Sequence, residues 1–146
     1  MLYMLQGFEE AFTDAQASIV SLALELLENG EKEADMVYIY IYQNDSMGFF
    51  NAFFAKDKKI CLLNDWFDDD QIDEFFDCGF EDMDNIVDIC NKYDGKRPIE
   101  FRLSYNVHTK AFDAKYNYDD FAGDGDVDLV DIFEDWQKKC EAELNS

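Results

Sequence analysis

The segment at residues 36–42, MVYIYIY, constrains the fold of this chain more than any other stretch. Val37, Ile39 and Ile41 alternate with three tyrosines, and an alternation of period two is typical of a β-strand. Because the segment is apolar on both of its faces, we expect it to lie in the centre of a sheet.

The residues that follow predict a hairpin. Residues 44–48 (NDSMG) are rich in turn-forming side chains, so the chain should return as an antiparallel strand over 49–55. The apolar CLL at 61–63 is a candidate for a short third strand.

A second hairpin is predicted in the C-terminal half. IEFRLSYN, residues 99–106, alternates between apolar and polar side chains, with Glu100, Arg102 and Ser104 expected to face outward. FDAKYNY at 112–118 alternates in the same way, which predicts the partner strand.

Helical periodicity accounts for much of the remaining chain. Residues 13–29 carry apolar side chains at helical spacing, with Gly30 at the expected C-terminal end, which predicts a helix that could extend toward the N-terminus. Residues 1–12 are a candidate N-terminal extension. Residues 68–94 predict two short helices, the second of which should end near Gly95. A C-terminal helix is indicated by apolar residues at helical spacing: Leu129, Ile132, Phe133, Trp136 and Cys140.

The predicted order of elements is α-β-β-(β)-α-α-β-β-α. Since the strands come as adjacent hairpins, this order predicts an α+β fold: an antiparallel sheet of about four to five strands, built from two hairpins and covered by helices. With 146 residues, of which 48% are hydrophobic, the chain has the size of one domain, residues 1–146.

The charge of the chain restricts its partners. It has 34 acidic and 12 basic residues, with a net charge of −22. Such a chain repels polyanions, so we expect neither direct binding to nucleic acid nor binding to an anionic membrane. Cationic partners are expected instead: metal ions, basic peptides, or the positive groove of an enzyme that acts on nucleic acid.

The acidic residues are concentrated in two windows, one between Lys59 and Lys92 and one between Lys115 and Lys138. Neither window contains a basic residue, and together they hold 19 of the 34 acids. Concentrated like charge destabilises a fold unless a partner uses it. Trp66 could be either part of the core or an exposed aromatic anchor. The candidate partner-binding residues are Asp65, Trp66, Asp68, Asp69, Asp70, Asp73, Glu74, Asp77, Tyr118, Asp119, Asp120, Asp124 and Asp126.

Sequence patterns of catalytic and metal sites are not matched. The acidic stretch after Tyr118 resembles a calcium loop, but Ala122 stands where a ligand is required and a strand precedes it. The four cysteines lack metal-ligand spacing. The lone histidine, His108, lies in a predicted turn, where a surface role is more usual than catalysis. We therefore expect no enzyme activity, no cofactor and no metal site; weak divalent-cation binding by the carboxylates is an alternative.

The N-terminus and the cysteines bear on location. MLYMLQGFEEAF has no basic region and reaches Glu9 and Glu10 too early for a signal peptide. Four cysteines without a disulfide-type or metal-type spacing are expected to be reduced thiols. Both features predict a cytoplasmic protein.

The C-terminal third resembles a known family. KRPIEFRLSYN leads through a polar turn, VHTKAFDAKYNYDD, and an acidic linker into a helix that carries Trp136. This arrangement resembles the YezG/EsaG-like immunity proteins of bacterial polymorphic (LXG-type) toxin systems, whose Tyr-Asp-Asp ending is similar to Tyr118, Asp119 and Asp120. The resemblance implies a small cytosolic α+β protein that binds and neutralises the nuclease domain of a secreted toxin.

Charge and resemblance lead to one expected mechanism, inhibition by occupancy. An acidic surface that fills the cationic cleft of a nuclease excludes the substrate electrostatically and sterically. A general acidic interaction module or adaptor without a toxin partner is the alternative. A homodimer could also form if the tyrosine-rich strand paired across two copies.

Overall fold

The computed structural model of the chain describes residues 2–93, 96–122 and 127–146, with side chains from residue 7 onward. The five strands in these ranges form one antiparallel sheet in the order β3-β2-β1-β4-β5. The predicted α+β fold, with a sheet built from hairpins and covered by helices, is therefore confirmed. The elements are α1 (Leu2–Asn29), β1 (Met36–Gln43), β2 (Gly48–Lys56), β3 (Lys59–Leu62), α2 (Leu63–Trp66), α3 (Asp69–Lys92), β4 (Glu100–Asn106), β5 (Phe112–Asn117) and α4 (Leu129–Leu144).

The strand β1 lies in the centre of the sheet, as predicted. It pairs with β2 on one side and with β4 on the other, and its residues 37–42 are all buried. Both edges of this tyrosine-rich strand are therefore occupied within the chain, so a homodimer could not form through either of them.

Helices cover the sheet on both faces, and β1 contributes to both cores. Val37, Ile39 and Ile41 belong to the core that packs against α1 and α3. The tyrosines of β1 point to the opposite face, against α4, where the ring of Trp136 meets that of Tyr38 edge-on with the centroids 5.9 Å apart. The alternation of aliphatic and aromatic side chains in one strand thus separates an aliphatic-rich core from an aromatic-rich one.

The helix α1 begins before residue 13, its predicted start. Phe8 stacks on Phe12 with the ring centroids 5.3 Å apart, and Phe12 in turn contacts Phe101 of β4. The additional turns are thus held by aromatic packing on the sheet. Neither α1 nor any other helix within the described ranges has the length and apolar content needed to cross a membrane.

The prediction of two short helices over 68–94 is wrong, because α3 is continuous. Gly79 lies in its middle, and a Cβ atom there would come within 2.4 Å of the Phe50 ring. Glycine lowers the helix propensity, but it allows α3 to pack closely on β2 and bury that ring. The helix ends at Lys92, and Gly95, the predicted end, lies outside the described residues.

The prediction that Glu100 faces outward is also wrong, since its side chain is only 8% exposed. Tyr40 donates a hydrogen bond to the Glu100 carboxylate, and Arg102 Nη2 lies 3.4 Å from the same oxygen. The Arg102 guanidinium also lies over the ring of Trp136 in α4. The alternation marks this face of β4 as polar, but α4 packs over it, so Glu100 is buried and paired while Arg102 and Ser104 are partly buried.

Candidate protein-binding surface

The helix α3 carries a long acidic stripe. Its sequence contains nine acidic residues and one basic residue, Lys92, in the last turn. Most apolar positions of the helix are buried or half-buried against the sheet and α1, which leaves the acids on the outer side. Between Asp70 and Asp88 the stripe extends over about 27 Å of helix. Its exposed members are Asp69, Asp70, Asp73, Glu74, Asp77, Glu81, Asp84 and Asp88.

The negative charge of this stripe is not neutralised by ion pairs. The four ion pairs found within the described residues involve acids outside α3, namely Asp35, Asp45 and Glu100. Like charges four residues apart, such as Asp73 and Asp77, destabilise a helix by about 0.2–0.5 kcal/mol per pair. The stripe therefore carries a stability cost that a cationic partner would remove.

Two of the predicted binding residues, Asp65 and Asp68, cap helices. The Asp65 carboxylate accepts a hydrogen bond from the backbone N–H of Leu62, 2.8 Å away, at the start of α2. The Asp68 carboxylate accepts one from the N–H of Gln71, also at 2.8 Å, at the start of α3. Both remain exposed, but their local structural role makes them poor choices for a test of binding.

The structure places Trp66 partly in the core. Its ring lies nearly parallel to that of Phe54, with the centroids 5.8 Å apart and the planes at 20°, and it meets Phe67 edge-on. The side chain is half-buried. Its ring is thus held by the core rather than free to serve as a separate anchor.

In the second acidic window, Asp120 is fixed to the central strand. Its carboxylate accepts hydrogen bonds from the hydroxyl of Tyr42 and from Asn44 Nδ2, the latter at 3.1 Å. The Tyr42 hydroxyl also accepts the backbone N–H of Ala122 at 3.1 Å. The hydrogen bond from Tyr42, followed by that from Asn44, lowers the pKa of Asp120. This carboxylate therefore anchors the loop that follows β5.

The other predicted residues of this window are more accessible. Tyr118 is exposed, with Lys96 Nζ 4.8 Å from the centre of its ring, and Asp119 is exposed beside it. Asp124 and Asp126 lie outside the described residues.

A groove lies at the β2 edge of the sheet, where β3 is too short to cover its neighbour. Leu62, the last residue of β3, pairs with Phe53, so residues 48–52 of β2 have no outer strand in the described part of the chain. The opening has a volume of about 300 Å³. Asn51 and Ala52 of β2 lie in it, between Phe76 of α3 and Val130 of α4.

This groove brings the two acidic windows together. The α3 wall belongs to the first window, and the α4 wall, which includes Glu134, belongs to the second. Each residue of an α-helix is rotated by about 100° around the helix axis, so Asp69 and Asp73 lie roughly 20° and 60° around this axis from Phe76. Because Phe76 lines the groove, both acids lie on the side of α3 that faces the groove. Acids far apart in sequence therefore flank one apolar opening, an arrangement that sequence reasoning missed because it depends on the strand register.

Other polar clusters have structural contacts. Within the residues that the structure describes, His, Cys, Asp and Glu side chains do not gather in groups of three or more that could hold a metal ion. His108 Nε2 lies 2.6 Å from Asp35 Oδ1, which joins the β4–β5 turn to the start of β1. This hydrogen bond, together with that from the Asp57 N–H, lowers the pKa of Asp35. His108 is exposed and Asp35 is partly buried, and their contact holds the β4–β5 turn against the segment before β1.

A comparison with models of known protein families finds no match, and a search of curated proteins finds no significantly similar sequence.

Proposed function

We propose that this protein is an immunity protein that binds a cognate bacterial toxin domain with a cationic substrate cleft, such as a nuclease, and blocks that cleft in the cytoplasm. The observation that carries the proposal is the acidic stripe of α3, whose carboxylates lack ion-pair partners in the described residues. The family resemblance of the C-terminal hairpin and helix supports the same function.

Electrostatics supports fast capture of such a toxin. A nuclease must hold a polyphosphate backbone, so its cleft is positively charged. A protein with a net charge of −22 and a stripe of about 27 Å attracts that cleft at long range. Steered association of this kind reaches about 10⁸–10⁹ M⁻¹s⁻¹ at low salt.

Slow release requires apolar contact as well as charge, because rim charges mainly affect association. The groove between α3 and α4 supplies apolar surface next to the acids, since the side chains of Leu62 and Val130 in it are 40% and 48% exposed. The acidic residues that would speed association and the apolar residues that would slow dissociation thus lie on the same side of the molecule.

The proposal is tested by capture and reconstitution. The tagged protein is used at moderate salt to capture partners from the cells that produce it, and each partner is assayed for nuclease activity after denaturing separation. We expect a stoichiometric basic polypeptide that degrades nucleic acid alone and becomes inactive when the purified protein is added back. A set of weak, salt-labile basic proteins without nuclease activity would contradict the proposal and favour a general acidic adaptor.

A further inference from the structure

The outer edge of β2, beside the groove, has backbone groups without a neighbouring strand among the described residues. In an antiparallel ladder, alternate residues direct their N–H and C=O groups to the same neighbour. The Asn44 N–H bonds to the Met47 carbonyl at 3.0 Å, which closes the β1–β2 hairpin and sets this alternation. Gly48, Phe50 and Ala52 therefore point their backbone groups away from β1, toward the outer edge of β2, and Ala52 lies in the groove.

Neighbouring amides on this edge are capped by side chains. Glu141 Oε2 accepts the Ile60 N–H at 3.1 Å, and Asp65 Oδ2 accepts the Leu62 N–H at 2.8 Å. The Ala52 N–H bonds to Asn51 Oδ1 at 2.8 Å. Such caps blunt an edge against further strands. Among the described residues, none of the hydrogen bonds caps Gly48, which is exposed, or Phe50, which is 4% exposed, so the edge has no cap at that point.

Exposed apolar side chains surround the open segment. Leu62 and Val130 line the groove, and the Phe80 ring stands beside Gly48, 3.7 Å from where a Cβ would lie. Met47 precedes Gly48 in the chain. These four large apolar side chains are between 39 and 48% exposed. An open strand edge between apolar walls is suited to accept a strand, whose backbone groups bond to the edge while its side chains pack on the walls.

The acidic residues beside the groove favour a basic binding partner. Glu134 lines the α4 wall, and Asp69 and Asp73 lie on the groove side of α3. A second copy of this chain would bring another net charge of −22 into an acidic groove, which disfavours self-association. A segment with alternating basic and apolar residues would satisfy both the acids and the apolar walls.

We propose that residues 48–52 of β2 accept an extended, basic segment of a partner protein as an added strand of the sheet. This inference rests on the proposed function, because it specifies the surface through which the toxin domain would be held. It adds a backbone contact to the electrostatic one: the partner would insert an edge strand or extended loop between α3 and α4.

The test uses a synthetic nine-residue peptide of alternating valine and lysine, and the same peptide with its three central amides N-methylated. We expect saturating unmodified peptide to slow hydrogen exchange at the amides of Gly48 and Phe50, followed by NMR on the ¹⁵N-labelled protein. The N-methylated peptide, which has equal charge but cannot form the ladder, should bind at least about tenfold more weakly.

Matched variants locate the contact. Val130→Arg adds a positive charge to the groove wall and should weaken binding of the unmodified peptide by at least about tenfold, since like charges across an interface repel. Phe112→Arg changes a similarly exposed apolar residue in β5, at the opposite edge of the sheet, and should change the affinity by less than about twofold. Thermal unfolding of both variants establishes that they fold.

The inference would be overturned if both peptides bound equally well, or if neither bound at millimolar concentration. It would also be overturned if the peptide slowed hydrogen exchange only in α3, or if the protein formed a concentration-dependent dimer in which the Phe50 amide was already protected from exchange. The last result would assign the edge to a second copy. Because this experiment contains no toxin, neutralisation of a captured nuclease without protection at Phe50 would leave the immunity function standing and remove only the strand-addition contact.

Discussion

The Tyr42 side chain in the central strand donates a hydrogen bond to the carboxylate of Asp120, which lies in the loop after β5. The same hydroxyl accepts the buried N–H of Ala122. One tyrosine oxygen thus fixes the start of the acidic loop to the core. Asp120 and Ala122, at the start of this loop, are therefore bonded to the central strand, although the acidic sequence of the loop suggests a fully exposed segment.

Tyr42→Phe should destabilise the fold because it leaves the buried Ala122 amide without its acceptor, at a cost of about 1–3 kcal/mol. Urea denaturation at neutral pH measures the change. The Tyr42 hydrogen bond lowers the pKa of Asp120 from its ordinary value of 3.8. The ionised Asp120 therefore contributes to the free energy of unfolding above about pH 3.8, and this contribution is lost as the pH falls through the folded-state pKa. The difference in the free energy of unfolding between the wild-type protein and Tyr42→Phe should therefore become smaller below about pH 3.8. A difference that does not change with pH would contradict the hydrogen bond from Tyr42 to Asp120.

Neutralising the middle of the stripe with Asp73→Asn, Glu74→Gln and Asp77→Asn should affect stability and binding in opposite directions. Removal of like-charge pairs should raise the free energy of unfolding by about 0.2–0.5 kcal/mol per pair. Association with the captured partner should slow about three- to tenfold at low salt and depend less on salt, as stopped-flow measurements would show.

The matched control removes three exposed acids from α1: Glu9→Gln, Glu10→Gln and Asp14→Asn. It changes the net charge by the same amount at a place that the proposed interface does not use. Equal slowing by both triple variants would mean that only total charge matters and that α3 is not the contact surface.

Glu100→Ala should destabilise the protein by about 2–3 kcal/mol, because it removes a charged acceptor from the Tyr40 hydroxyl and from Arg102. Glu100→Gln keeps an acceptor oxygen of similar shape and should cost less. Urea titrations of the two variants provide the comparison, and an alanine variant as stable as the glutamine variant would argue against the buried network.

Gly79→Ala should destabilise the fold although alanine is the better helix former. A Cβ atom would overlap the Phe50 ring at 2.4 Å, and overpacking of a core costs about 1–3 kcal/mol, against a propensity gain of about 1 kcal/mol. Gly48→Ala, where the nearest side-chain atom would lie at 3.4 Å, is the control and should be neutral or stabilising. Differential scanning calorimetry would decide; a raised Tm for Gly79→Ala would show that the ring moves freely.

The thiols should differ in reactivity. Burial, with a smaller effect from Glu143, raises the pKa of Cys140 to about 12, and burial also raises that of Cys90. Cys61 and Cys78 are only partly buried. Titration with a thiol reagent at pH 8 should label Cys61 and Cys78 first, and Cys90 and Cys140 only on unfolding. Fast labelling of Cys140 would mean that α4 detaches from the sheet.

The sequence by itself determined the class of the fold and most of its strands and helices. The apolar alternation of residues 36–42 was sufficient to place β1 in the centre, because a strand that is apolar on both faces must be covered on both. The acidic windows were equally visible, since charge depends on composition rather than on folding. The helix break expected within α3 was wrong because periodicity does not show that Phe50 packs on Gly79.

Only the tertiary structure decided which polar residues are free. Glu100 is buried because α4 covers one face of the sheet, and Asp120 is anchored because Tyr42 points toward the loop after β5. Both contacts join residues that are far apart in the chain. The groove has the same origin: it exists because β3 ends opposite Phe53, while α3 and α4 pack on opposite faces of the same edge. Local patterns specify elements, whereas register and the packing of distant segments determine what those elements leave exposed.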